Sequence, residues 1–462
     1  MAGPEVVEAV HQQVRAFQGT DPAAAQAAGR WLAEFQQSQA ATAACSQLLL
    51  SGLKQGDQAL AFFAAQTLAA RARLVSPGED RTPWKSTIEM ILNALQGGFC
   101  QSDQISAPVL KQLAITIARL AVQVLDVWEN PVRAILNALE QSLEHARPLL
   151  EVLQALAEEP FSKRVLMHAS LRSRFLLYLR EQVSPILTAI SNAGRRLPEL
   201  AKNGYSAASI KQLGVQSLHC SAAWLRALPG FEEWLPMIAF GGGGASENHP
   251  ALTILTPFFV EVAIPAARLE FGPEAFEGAG SLLEAAIDLV SQDLSSNNSV
   301  TPLLGAFLEF SERLSVQFLD EQVKCMDLST ALGVLLSIFN AAFQSSIVLC
   351  CAPIRKKMLE AAGKFVVLTG TQGDGDLDCD GGLLGRTLDL WEAPVRTLKP
   401  LQEDGDFGGP GPQVSPDVVP LAVAEEILTE SFRVFLEAFP LGIRLPPNLQ
   451  AIPDGWDLSR LR

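Results

Sequence analysis

PVLKQLAITIARLAVQVL, residues 108–125, is the stretch whose reading decides the fold. Leu110, Leu113, Ile117, Leu120 and Val124 recur at alternating spacings of three and four, which places them on one face of a helix. Ile115 and Val122 lie on the opposite side. A helix that is apolar on more than one face must be covered from more than one direction, as the inner helices of a stacked solenoid are. Lys111 and Arg119 sit away from the Leu/Ile stripe. They can face a concave surface while the stripe packs between repeats, and they are the candidate partner-binding residues.

Outward from this helix the same period recurs in blocks that come in pairs, each block ended by Gly, Pro, Asp or Asn. Toward the N-terminus the pairs are 6–17 with 23–37, 45–53 with 58–74, and 84–95 with 108–125 itself. Asp21 can cap the second of these helices and Pro22 can occupy its first turn. Toward the C-terminus follow 131–143 with 147–158, then 171–190 with 206–228. Pro185 inside the former should kink or shorten it. The stretch 251–269 is read as buried helix, and four glycines at 241–244 as a break. Further helices are expected at 276–290, 302–319, 328–344 and 420–439, with a Gly/Asp/Pro-rich excursion at 370–416. Helix pairs repeating every ~35 to 45 residues, without tetratricopeptide or ankyrin spellings, indicate HEAT-type repeats. The expected fold class is all-α, an α-solenoid of HEAT-type helical repeats forming an ARM-like superhelix.

Composition agrees. The sequence is 48% hydrophobic with only 2 Tyr, and its charged fraction of 18% is low, so helices must cover much of one another's surface. A net charge of -15 disfavours affinity built on phosphate neutralisation, so no direct nucleic-acid partner is expected, and an acidic surface suits basic protein partners. No run reaches the ~18 to 20 apolar residues of a membrane span. The N-terminal MAGPEVVEAVHQQV lacks the basic and apolar regions of a secretory signal, which points to synthesis and retention in the cytosol. Seven scattered cysteines without CxxC spacing are read as free buried thiols.

Chemistry-bearing patterns are weak. Asp376, Asp378, Asp380 and Gly381 match the start of an EF-hand loop, but its twelfth position is Thr387 rather than Glu, so an acidic surface loop is the favoured reading. His168 among Arg164, Arg172 and Arg174 is read as a solvated segment between helices rather than an anion site. The five His residues are spread singly, and no GxSxG, P-loop or HExxH occurs. No cofactor, metal or catalytic residue is assigned, and the chain is not expected to be an enzyme.

Two stretches narrow the function. AGRWLAEFQQSQAATAACSQLLL (28–50) and ALAFFAAQTLAARARL (59–74) resemble the N-terminal domain of the importin-β (karyopherin-β) superfamily, most nearly its transportin-SR and importin-thirteen branch. The matching positions are Trp31, Leu32, Phe35, Gln36 and Ser38, then Phe63, Ala64, Ala65, Gln66, Thr67 and Leu68. The likeness continues through QLAITIARLAVQ (112–123) and LLEVLQALAEE (149–159), then fades after about Leu228. Trp31 with Phe35, and Phe63 with Thr67, are four apart and are expected as core pairs. Family members are substantially longer, so the likeness covers their N-terminal portion.

The resemblance implies a nuclear transport receptor that binds protein cargo on a concave surface and is switched by Ran-GTP at its first repeats. Its outer helices would meet Phe-Gly nucleoporins, its cargo would include Arg-Ser-rich splicing factors, and it would shuttle between cytoplasm and nucleus. A helical-repeat scaffold without transport activity is the alternative. The expected organisation is importin-β N-terminal-like repeats at 1–125, further HEAT-like repeats at 126–369, a flexible insert at 370–416, and a terminal helix and tail at 417–462.

Overall fold

The computed structural model describes residues 3–75, 81–97, 105–162, 169–230, 250–263 and 273–292, with 356 and 359 as single positions. The chain divides into a unit spanning Met1–Ala306 and another spanning Phe307–Arg462, and the helices below belong to the first. Every element among the described residues is helical: α1 (Pro4–Phe17), α2 (Pro22–Gln37), α3 (Ala41–Gln55), α4 (Gln58–Arg73), α5 (Thr82–Gln96), α6 (Ala107–Gln123), α7 (Pro131–Leu139), α8 (Ala146–Glu158), α9 (Ala169–Arg195), α10 (Leu197–Lys202), α11 (Ala207–Ala227), α12 (Pro250–Phe258) and α13 (Pro273–Gln292). The expected helices at 302–319, 328–344 and 420–439, and the 370–416 excursion, lie outside the described residues.

Local chemistry sets the boundaries. The Asp21 carboxylate accepts the Ala23 N–H at 3.0 Å, and Pro22 opens α2, as the sequence indicates. Between α3 and α4, Gly56 takes the left-handed conformation (φ 70), letting the Asp57 N–H reach the Gly52 carbonyl at 2.9 Å. The Asp57 side chain then caps α4 by accepting the Leu60 N–H at 3.0 Å.

Consecutive helices pair, and the pairs stack in sequence order into two layers. Layer A contains α1, α3, α5, α7, α9 and α12; layer B contains α2, α4, α6, α8, α11 and α13. From α4 to α13 the layer B helices pack closely on one another, whereas from α1 to α9 the layer A helices meet at few positions. A stack closely spaced on one side and splayed on the other curves toward the close side, so layer B is the concave face. Small residues permit the approach: Ala61, Ala64, Ala65, Ala69 and Ala72 of α4 and Ala114, Ala118 and Ala121 of α6 are all buried. The stripe of Leu110, Leu113, Ile117, Leu120 and Val124 is buried too, as is Val122 behind it, so α6 is covered from several directions.

The backbones of α3 and α4 approach closely at Gly52. A Cβ on Gly52 would stand 2.9 Å from the Ala61 backbone nitrogen, closer than real Cβ atoms come. Gly52→Ala should therefore push the two helices apart and cost about 1 to 3 kcal/mol in chemical denaturation. An unchanged midpoint would show that the pair separates freely.

Three local expectations are corrected. Pro185 does not shorten its helix: α9 runs for 27 residues through it. The lost hydrogen bond is outweighed because Val183, Ile186, Leu187 and Ile190 on either side are buried. The helix begun at Pro131 stops at Leu139, and a separate 3-10 turn follows at Leu143–His145. The run from 251 does not continue as one α-helix: α12 ends at Phe258 and passes into a π-helical turn, Phe259–Ala263, beside Pro257. Proline removes the N–H that the last α-turn needs, which favours the wider turn.

Candidate partner-binding surface

Each layer B helix keeps one face uncovered, and burial along the helix identifies it. On α4 the half-buried or exposed positions Ala59, Phe63, Gln66, Ala70 and Arg73 recur at spacings of four and three. On α6 only a narrow strip around Pro108, Lys111, Ile115 and Arg119 escapes burial. Arg147, Glu151, Gln154 and Glu158 form the strip on α8. On α13 it is Glu274, Glu277, Ser281, Glu284 and Asp288. The free surface of layer B thus passes from basic groups on α4 and α6 to acidic groups on α13.

Polar bonds tie neighbouring helices along this surface. The Arg119 guanidinium donates from Nε and Nη2 to the two Glu159 carboxylate oxygens (3.0 and 3.3 Å), and from Nη1 to the Ala69 carbonyl (2.8 Å). One side chain on α6 therefore links α4 to the turn that follows α8. Both partners are deeply placed, with side-chain exposures of 13% and 11%. Further along, Gln216 of α11 donates to Gln154 of α8 at 2.8 Å, and Gln154 to Glu158 at 2.7 Å. Arg226 reaches Ser281 on α13.

Lys111 is exposed, so its charge is available to a partner. Burial pushes the Glu151 carboxyl on α8 above its ordinary range, and the charges of Lys111 and Arg147 pull it partly back. Arg119 differs from Lys111. Its donors are committed within the stack, a commitment that the sequence spacing did not signal.

Between α4 and α6 lies an open cleft of about 280 Å3. Gln66 and Arg73 from α4 and Gln112 and Arg119 from α6 give it polar walls; Ala69, Ala70 and Leu74 are its apolar part. Sequence reasoning did not pick out Gln66, Arg73 and Gln112 as a group. The signal available was that Gln66 and Arg73, seven apart, share a face of α4, as Gln112 and Arg119 do of α6.

The aromatic positions that carried the resemblance are partly core. Trp31 and Phe35 stack with ring centroids 5.5 Å apart and planes within 1°. Phe63 departs from the expectation: it is half-buried on the free face of α4 rather than enclosed, while Thr67 is buried and accepts a 3.1 Å bond from the Gln36 amide on α2. Cys45 and Cys220 are free and buried as expected. Burial pushes the Cys45 thiol up to about 12, against a smaller opposing effect of its hydrogen bond with Thr67, so it is inert as a nucleophile. The acidic loop at 376–387 and His168 with Arg164 lie outside the described residues. Among the described residues no group of three acidic, His or Cys side chains could hold a metal ion, and no helix is long and apolar enough to cross a membrane.

Residues 106–236, less than half of the chain, match the family described as Exportin 1-like protein. The matched stretch takes in α6 through α11. It supports the importin-β/exportin superfamily, whose members are transport receptors rather than enzymes and are built of HEAT-type repeats. No curated protein matches the chain.

Proposed function

We propose that this chain is a nuclear transport receptor of the importin/transportin kind, binding protein cargo and Ran-GTP for nuclear import and shuttling between cytoplasm and nucleus. The observation that carries the reading is the uncovered, charge-graded face of layer B on a stack whose α6–α11 portion matches an exportin-like family. Such a face is a preformed surface shared by consecutive repeats, the kind on which helical-repeat proteins bind partners. The transportin-SR likeness of 28–50 and 59–74 adds Arg-Ser-rich splicing factors as the cargo class, and the acidic strip of α13 has the charge such cargo needs. Phe-Gly nucleoporins would meet layer A.

Ran locked with GTP, compared with Ran-GDP in a pull-down on this chain, tests the reading. GTP-selective capture is the expected result. Equal capture of both forms, or none, would replace the receptor with a helical-repeat scaffold.

Lys111 and Arg119 are proposed as the basic groups of the Ran-facing surface, in different roles. Lys111 is free to pair with a partner carboxylate, whereas Arg119 supplies charge from within its bonds to Glu159 and Ala69. Lys111→Glu should therefore weaken Ran-GTP binding and slow its association, with the loss shrinking as salt is raised. Identical association rates for parent and variant at low salt would remove Lys111 from the contact.

A further inference from the structure

The cleft between α4 and α6 brings an unpaired cation together with two carboxamides and an apolar rim. Arg73 stands on the free face of α4 and lines the cleft, and its guanidinium has no hydrogen-bond or ion-pair partner among the described residues. An unpaired guanidinium at the wall of an open cleft can form charge-assisted bonds to an incoming carboxylate through its terminal nitrogens. Gln66 and Gln112 bring carboxamide groups to the same cleft from its two walls. Ala69 and Ala70 leave the space open, and Leu74, 50% exposed at the end of α4, offers an apolar rim. Arg119 closes the cleft on the α6 side but has its donors engaged by Glu159 and Ala69, so the vacant cationic donor is Arg73.

We infer that this cleft docks an aspartate or glutamate side chain of a protein partner, with an apolar residue next to it in the partner lying on Leu74. The carboxylate takes the Arg73 donor and the two amides; the neighbouring apolar side chain covers Leu74. A volume of about 280 Å3 fits one or two side chains rather than a cofactor. Charge complementarity fixes the location. The chain as a whole carries a net charge of -15, and the acidic strip on α13 repels an acidic segment, whereas the basic α4/α6 end of the same face attracts it. A free inorganic anion gains nothing from Leu74, which is why a protein segment is the favoured occupant. The inference rests on layer B being the partner face proposed above, and it adds the chemistry read at one point of that face.

The test uses the full chain and a fluorescent peptide of alternating Glu and Leu, with its Gln/Leu counterpart as control, followed by fluorescence polarisation. The acidic peptide should bind, its affinity should fall with salt, and the Gln/Leu peptide should bind at least about tenfold more weakly, the effect of one lost charge-assisted contact. In Arg73→Gln the two peptides should become equal. Circular dichroism of that variant, altered on a free face, should match the parent. Leu74→Ser should weaken both peptides alike. Equal affinity of parent and Arg73→Gln for the acidic peptide, or no Arg73-dependent binding at millimolar peptide, overturns the inference. So does displacement by inorganic phosphate with no contribution from Leu74, which would make the cleft a simple anion site. The nucleotide selectivity of Ran capture by the parent chain is measured without reference to Arg73, so failure of the transport reading and failure of the cleft are separately visible.

Discussion

Replacing Trp224 with alanine should lower the stability of the helical stack by roughly 3 to 5 kcal/mol. The indole of Trp224 is fully buried in α11, and its N–H donates to the Leu153 carbonyl of α8 at 2.9 Å. Truncation leaves a ring-sized cavity and removes a bond between adjacent repeats. In a solenoid each repeat is held by its neighbours, so loss at one interface uncouples what lies beyond it. We expect amide exchange in α11 and α13 to accelerate before that in α4 and α6. Trp224→Phe retains most of the ring volume and should lose about 1 kcal/mol, the worth of the hydrogen bond. Uniform acceleration along the whole stack after Trp224→Ala would contradict the nearest-neighbour account.

The second large effect is expected at Arg119. Arg119→Met keeps a side chain of similar reach but leaves the buried Glu159 carboxylate without its cation, and breaking a buried pair in this way costs roughly 3 to 5 kcal/mol. The Ala69 carbonyl loses the same donor. Replacing both partners, Arg119→Met with Glu159→Leu, should recover much of the loss, because no unpaired charge then remains inside. A double-mutant cycle read by urea denaturation gives the coupling. Additive losses would mean that the two side chains do not depend on each other, against their two short contacts. The same variant separates structure from recognition: if Arg119 acts only within the stack, the double replacement restores stability and leaves Ran-GTP binding at the level of the parent.

The sequence by itself determined the helices and their pairing. The alternation of three and four in residues 108–125 and its neighbours specifies amphipathic helices, and the residues between them, such as Asp21 with Pro22, stop one helix and start the next through contacts within a few positions. Those are local interactions, and local chemistry is written in local sequence. The superfamily likeness of 112–123 and 149–159 was legible for a related reason: packing between repeats demands particular small and branched residues at fixed spacings, and the exportin-like match at 106–236 covers both stretches.

What only the tertiary structure decided are the pairings across repeats. That α9 survives Pro185 follows from burial on both sides of it, which no window around the proline reveals. That Phe63 lies on the free face rather than in the core depends on where α6 and α3 approach α4. That Arg119 is held by Glu159, 40 positions away, while Lys111 on the same helix stays free, depends on how one repeat is rotated against the next. Helical periodicity fixes which side chains share a face, but the angle and spacing at which faces meet come from side-chain volumes summed over two helices at once. The cleft between α4 and α6 exists because Ala69 and Ala70 leave space there, and the unpaired Arg73 guanidinium at its wall is a property of that meeting rather than of either helix alone.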